Sequence, residues 1–169
     1  PMLKKSLLAV ALAFASSGAF AAAETYVMDN NHTQVEFSWN HFGFSNPVAN
    51  FDNIEGSINY DADDITKSSV EVTIATSSIN SHVKDFNEHL ASADFFDVAK
   101  YPSSTFKSTS VKKGAADNKL LVSGDLTIHG VTNPVTIDAT LNRAAPHPIS
   151  NQPTVGFDGV LFIKRSDFG

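Results

Sequence analysis

From Gln34 to Asn40 apolar and polar residues alternate, with Val35, Phe37 and Trp39 on one side and Glu36, Ser38 and Asn40 on the other. A period of two sends successive side chains to opposite faces, which predicts a strand with one buried and one wet face. The same alternation predicts a strand over Phe51–Tyr60, with Ile54, Gly56, Ile58 and Tyr60 on one parity. It predicts another over Ser69–Ile79, with Val70, Val72, Ile74 and Thr76 together. Four more follow at Ser104–Val111, Lys119–His129 (Leu120, Val122, Gly124, Leu126 and Ile128 on one face), Thr132–Leu141 and Val155–Ile163. Turn chemistry separates them: a bend or bulge at Gly43, the run Asp61-Ala62-Asp63-Asp64, a hairpin loop over Lys112–Asn118, and His129-Gly130. Asn142–Pro153 holds three prolines and predicts an irregular loop. About seven strands at turn-limited spacing favour an antiparallel barrel or sandwich.

The period changes once. Between Asn80 and Pro102, Val83, Phe86, Leu90 and Ala93 recur at three- and four-residue spacing, which makes one apolar helical face. Asn80 or Ser81 is placed to cap the start, and Pro102 forbids continuation at the far end. Phe95 and Phe96 trail this helix and are too apolar to be left in water. A helix over about residues 81–96 with two phenylalanines behind it, set among strands, predicts a lid or plug on a sheet that encloses something.

The amino end has the form of an export signal. Lys4 and Lys5 precede the apolar run Leu7–Phe14, and Ala19-Phe20-Ala21 and Ala21-Ala22-Ala23 both fit the small-x-small cleavage rule. Residues 1–23 are therefore expected to be a cleavable signal peptide, and 24–169 one periplasmic domain. The chain has no cysteine, so an exported fold of this sequence rests on core burial without disulfides and offers no thiol chemistry. A net charge of -6 argues against nucleic acid as a partner and against a basic membrane-docking face. The thirteen phenylalanines suit either a filled core or an apolar cavity.

Catalytic patterns are weak. His82 and His89 lie two turns apart on the predicted helix, too far to hold one metal ion by themselves, and the chain has no His-Glu-x-x-His sequence. Asp85 and Glu88 near His89 are exposed-helix carboxylates of the ordinary solvated kind. No Gly-x-Ser-x-Gly elbow occurs, and Asp167-Phe168-Gly169 stands without the loops that give this triplet meaning in kinases. No catalytic residue, metal site or cofactor is assigned.

Several short motifs occur in a fixed order: Asp29-x-x-His32-x-x-Val35-x-Phe37, His41-Phe42-Gly43-Phe44-Ser45 and His89-Leu90-x-Ser92-x-Asp94-Phe95-Phe96. They continue with Tyr101-Pro102-x-x-x-Phe106-x-Ser108, Gly124-Asp125-Leu126-Thr127-Ile128-His129-Gly130-Val131-Thr132-x-Pro134-Val135 and the closing Asp167-Phe168-Gly169. In this order they resemble the YceI-like family of periplasmic polyisoprenoid-binding proteins over nearly the whole mature chain. The resemblance implies an all-β, extended lipocalin-like antiparallel barrel with one helical insert. It also implies a hydrophobic tunnel holding a polyprenyl lipid or the tail of an isoprenoid quinone, and no established catalysis. The family commonly carries Arg-Asp where this chain has Phe86-Asn87, and Arg where it has Ala91, so the resemblance carries no ionic role over to the insert. The family is also expected to continue past Asp-Phe-Gly by a closing strand, which makes this chain look truncated.

The residues expected to line the tunnel are Phe37, Trp39, Phe42, Phe44, Phe51, Phe86, Leu90, Phe95, Phe96, Phe106, Leu126, Ile128, Phe157 and Leu161. His41, His89 and Arg165 are expected at a polar mouth. The expected partner is an isoprenoid lipid; transient contact with the inner membrane or a membrane protein, and a homodimer, stay open. Two rival readings remain: a small exported enzyme acting on an apolar substrate, and a stress-induced structural module with a filled core.

Overall fold

The computed structural model describes residues 22–169. The expected signal peptide at residues 1–23 lies almost entirely outside the described residues. Ten strands and one α-helix follow in the order β1 (Glu24–Val27), β2 (Val35–Ser38), β3 (Val48–Phe51), β4 (Ile54–Tyr60), β5 (Ser69–Ala75), β6 (Ile79–Asn80), α1 (Lys84–Ala91), β7 (Ser103–Lys113), β8 (Lys119–Ile128), β9 (Val131–Pro146) and β10 (Pro153–Val160). Seven strands pair antiparallel in the order β1-β4-β5-β7-β8-β9-β10 and curl into a nearly closed barrel; β2, β3 and β6 form a small second sheet.

Alternation places the barrel interior as expected. On β8, Leu120, Val122, Gly124 and Leu126 are buried while Leu121 and Asp125 face out. Phe106, Val111, Leu120, Val122, Leu126, Ala139 and Phe168 form one buried cluster. Gly124 is required there: a Cβ would come within 2.6 Å of the Phe106 ring and 2.4 Å of the Lys107 carbonyl oxygen. Its missing side chain is the seat for that ring.

The expected strand Phe51–Tyr60 is two strands. β3 ends at Phe51, Asp52-Asn53 make a corner, and β4 begins at Ile54 in the other sheet. The expected strand Ser69–Ile79 breaks in the same way, at a 3₁₀ turn over Thr76–Ser78. The two corners bond to each other: Asp52 N donates to the Ser78 carbonyl at 3.0 Å, Asn53 N to Ser78 Oγ at 3.0 Å, and Ala75 N to the Asn53 carbonyl at 3.0 Å. Thr76, only 1% exposed, ties this corner to the end of the insert by donating from its Oγ1 to the Tyr101 carbonyl at 2.6 Å.

Two further expectations change. Asn142–Pro153 is not wholly irregular: β9 runs on to Pro146 and pairs with β10, with a bulge where Phe157 faces Leu141. Pro146 and Pro153 sit opposite one another at the loop end of that hairpin, the last pair of the ladder before the turn. The helix is shorter than residues 81–96, because Asn80 is spent in β6 and Val83 takes the N-cap position with no side-chain cap. Asn87 works backwards instead, its Oδ1 accepting from Ser81 N at 2.7 Å. Phe95 and Phe96 lie in the turns that follow Ser92.

Candidate functional site

The small sheet and the helical insert meet over one end of the barrel, and their side chains there are aromatic. Phe37 lies 5.7 Å from Phe51 and 5.8 Å from Phe96 between ring centroids, and Phe51 meets Phe96 edge to face at 5.4 Å. Trp39 extends this trio, 5.8 Å from Phe37 and 5.4 Å from Phe86 on α1. Such spacings are those of favourable offset and edge-to-face ring pairs. Beneath the rings, Phe51, Ile54, Ile74, Ile79 and Leu90 are buried, with Phe86, Phe95 and Phe96 packed against them. Val72 touches both this cluster and the barrel cluster, so apolar packing is continuous from the cap into the barrel. Ser104 Oγ, on the strand position facing Ile74, is the one buried side-chain polar atom without a hydrogen-bond partner among the described residues.

The expected site residues divide into four places. Phe37, Trp39, Phe51, Phe86, Leu90, Phe95 and Phe96 meet in the cap. Phe106, Leu126, Ile128, Phe157 and Leu161 belong to the barrel cluster, where Phe157 also meets Tyr60 edge-on at 6.0 Å. His89 and Arg165 converge on Phe95: the imidazole stands edge-on at 4.9 Å and the guanidinium lies over the ring at 4.9 Å. Both polar side chains thus lie against the Phe95 ring of the cap. Phe42, Phe44 and His41 do not join the interior: Phe42 is 84% and Phe44 90% exposed, at the tip of the β2–β3 hairpin, with the His41 ring against Phe42. The strand parity that turns Phe37 and Trp39 inward ends at Asn40, so the residues beyond it are turned out by the hairpin.

The rings also correct the expectation of an open bore. Phe37, Phe51 and Phe96 contact one another across the cap instead of surrounding a void. An apolar chain entering at this end has to displace at least one of them. The open concavities lie elsewhere. A groove of about 500 Å³ runs beside β9 and the segment after β10, lined by Val135, Leu161, Phe162 and Phe168 among others. A polar recess of about 220 Å³ opens where β5 and β7 separate, lined by Ser57, Asn59, Ser69 and Lys107. There Ser108 Oγ accepts from Val70 N at 2.8 Å, one step past the last β5–β7 pair, Glu71 opposite Lys107.

Alternation missed the aliphatic residues under the rings as site members, although Ile54, Ile74 and Val72 all fell on inward parities. Asn30 carried no such signal: its Oδ1 accepts from Ile54 N at 2.7 Å and its amide donates to the Asp52 carbonyl, which fixes the β3–β4 corner. The neighbouring Asp29 and His32 brace this turn. The His32 ring beside it, then the Asn31 N–H, hold the Asp29 carboxyl below the usual carboxylate range. Both histidine–carboxylate pairs, His32–Asp29 at 2.7 Å and His89–Asp94 at 3.3 Å, lie on the exposed surface.

The order of motifs, the nearly closed barrel and the helical cap all point one way, and comparison with known proteins decides it: the YceI-like domain matches residues 26–169. This chain belongs to the YceI-like family. It is similar to a UPF0312 protein of Vibrio cholerae, 41% identical over 171 aligned positions that cover 99% of this chain and 89% of the relative. A UPF0312 protein of Pseudomonas syringae pv. tomato is 39% identical, with 99% and 88% covered. Among solved structures, Burkholderia cenocepacia BcnA superposes with a TM-score of 0.70 at 29% identity, covering 85% of this chain and 80% of that one. The Campylobacter jejuni YceI protein superposes at 0.68 and 32% identity, with 85% and 82% covered. Both superpositions cover 85% of this chain.

Proposed function

We propose that this YceI-like protein is a periplasmic binding protein that holds one isoprenoid chain, a polyprenyl lipid or the tail of a quinone, and that it is not an enzyme. The observation that carries the reading is that the side chains from the ring cap through Val72 into the barrel are apolar without interruption, so that a hydrocarbon that displaces a cap ring meets apolar neighbours along this path. Such an interior is suited to a long hydrocarbon. Each buried CH₂ contributes roughly 0.8 kcal/mol, so a few prenyl units reach micromolar affinity without a specific polar contact. The unpartnered Ser104 hydroxyl offers one bond to a ligand oxygen. An enzyme acting on an apolar substrate would place a histidine–carboxylate pair in that interior, and here both pairs face solvent.

A second reading has its own observation. Rings in mutual contact suit a filled core, and with it a purely structural module. Native mass spectrometry and lipid extraction of protein purified from the periplasm separate the two. The carrier reading expects co-purified isoprenoid. It also expects a raised melting temperature with added polyprenol, since a ligand at a hundred times its Kd stabilises by about 2.7 kcal/mol. Absence of both leaves the filled-core module.

A further inference from the structure

We infer that the tip of the β2–β3 hairpin is a docking wedge for a phospholipid bilayer, with Phe42 and Phe44 as the inserted side chains. The tip carries two of the most exposed large apolar side chains among the described residues, 84% and 90% exposed and two positions apart. Paired exposed aromatics on a projecting loop are not explained by packing. The backbone holds them in place. Phe42 and Gly43 both have positive φ, 53° and 80°, as a type I′ turn demands at its two central positions. A phenylalanine is a costly occupant of such a position, where glycine or asparagine is the usual choice, so the ring is kept against the local preference.

The turn is also braced. Phe44 N donates to the His41 carbonyl at 2.9 Å, Gly43 N to Asn40 Oδ1 at 2.7 Å, and His41 N to the Ser45 carbonyl at 2.8 Å. The turn thus fixes where both side chains leave the backbone.

Charge selects the occupant. No Asp, Glu, Lys or Arg occurs from Phe37 to Phe51, although the chain carries eighteen acidic residues and a net charge of -6. This stretch can approach a lipid surface without desolvating a formal charge and without carboxylates facing lipid phosphates. Phenylalanine is among the side chains that surface-bound segments bury at the boundary of headgroups and acyl chains. The wedge also leads inward: Trp39, three residues before Phe42, packs on Phe86 of α1 beside the ring cap. As a route for an isoprenoid chain into the barrel, the wedge rests on the carrier reading; as a docking surface it stands on the hairpin alone.

The test uses vesicles without any isoprenoid, so its outcome is independent of whether the barrel carries one. The probes are neutral phosphatidylcholine vesicles and vesicles containing phosphatidylglycerol, with brominated acyl chains as quenchers of Trp39, the single tryptophan. Expected are co-sedimentation with neutral vesicles that resists added salt, and bromine quenching of Trp39. The Phe42→Ser/Phe44→Ser double variant is expected to bind at least about tenfold more weakly, as loss of two buried rings predicts. Its unfolding curve should be unchanged because neither ring packs inside. Ile149→Ser, which removes a 90% exposed apolar side chain from the β9–β10 loop, should bind as the parent does. The inference is overturned if the parent does not bind, if the double variant binds equally well, or if Ile149→Ser weakens binding as much. It is also overturned if the hairpin rings drive a concentration-dependent dimer in place of vesicle binding.

Discussion

The barrel body and the ring cap bury apolar side chains in opposite ways. In the body, β7, β8 and β9 run for 11, 10 and 16 residues and pair along most of their lengths. The residues they bury are mostly aliphatic, with Phe106 and Phe168 among them. In the cap, β2, β3 and β6 have 4, 4 and 2 residues, α1 has 8, and the contacts between these short pieces are largely ring on ring. Backbone ladder and side-chain packing reinforce each other in the body. In the cap the ladders are short, four residue pairs between β2 and β3 and two between β3 and β6, and ring packing supplies much of what joins these pieces to α1. Few backbone bonds between elements and half-buried contacts mark a region that opens below the global unfolding energy. The cap is therefore expected to open locally before the wall does.

The largest effect expected is in the body. Phe106→Ala empties the seat over Gly124 and removes a ring that is only 5% exposed. It should lower the free energy of unfolding by about 3–5 kcal/mol, the range for buried Phe→Ala changes. Equilibrium urea unfolding measures it directly. A loss below about 1 kcal/mol would mean that the body repacks as easily as the cap is supposed to, and the contrast would fail.

In the cap, Phe96→Ala removes the ring that meets both Phe37 and Phe51. Phe96 is half-buried, so the expected global cost is smaller, about 1–2 kcal/mol on area grounds. The sharper readout is native-state hydrogen exchange. Amides of α1 and β6 should exchange faster in the variant, while those of β8 and β9 change only with global stability. Equal acceleration in both regions would show that cap and body unfold as one unit.

The contrast also explains what could be read from sequence. The wall was legible because its strands are wet outside and dry inside: the alternation of Leu120, Val122 and Leu126 with Leu121, Ser123 and Asp125 is the sheet itself. The corners at Asp52-Asn53 and Thr76–Ser78 were not, because a change of sheet leaves inward parity intact on both sides of the break. β1 was hidden because Glu24-Thr25-Tyr26-Val27 pairs on one side only, and Val27 is 82% exposed. At the cap, spacing identified Phe86 and Leu90 as the apolar face of a helix, but Asn87, which bonds back to Ser81, lies inside that helix and no start signal marks it. Ring identity said that Phe37, Phe51 and Phe96 avoid water; whether they face a void or each other depends on distances that periodicity does not carry. Phe42 and Phe44 were placed inside because phenylalanine usually is, and a positive φ at Phe42 is invisible in a residue that normally avoids it.

The outer face of the wall should matter least. Lys107 Nζ lies 2.9 Å from Glu71 Oε1 on the neighbouring strand, yet the two side chains are 74% and 61% exposed. An exposed pair of this kind contributes about 0.2–1 kcal/mol, less as salt screens it. Lys107 has a second carboxylate to hand, since it stands directly opposite Asp125 on β8 as well as opposite Glu71 on β5. When Glu71 is removed, the ammonium can turn to Asp125, and a cross-strand pair of opposite charge replaces the lost one. A double-mutant cycle between Glu71→Gln and Lys107→Met is therefore expected to give a coupling of at most about 0.5 kcal/mol in 0.15 M salt. A coupling above about 1.5 kcal/mol would move part of the wall's stability from its interior to its surface. The contrast between a wall fixed by its core and a cap held by its rings would then have to be redrawn.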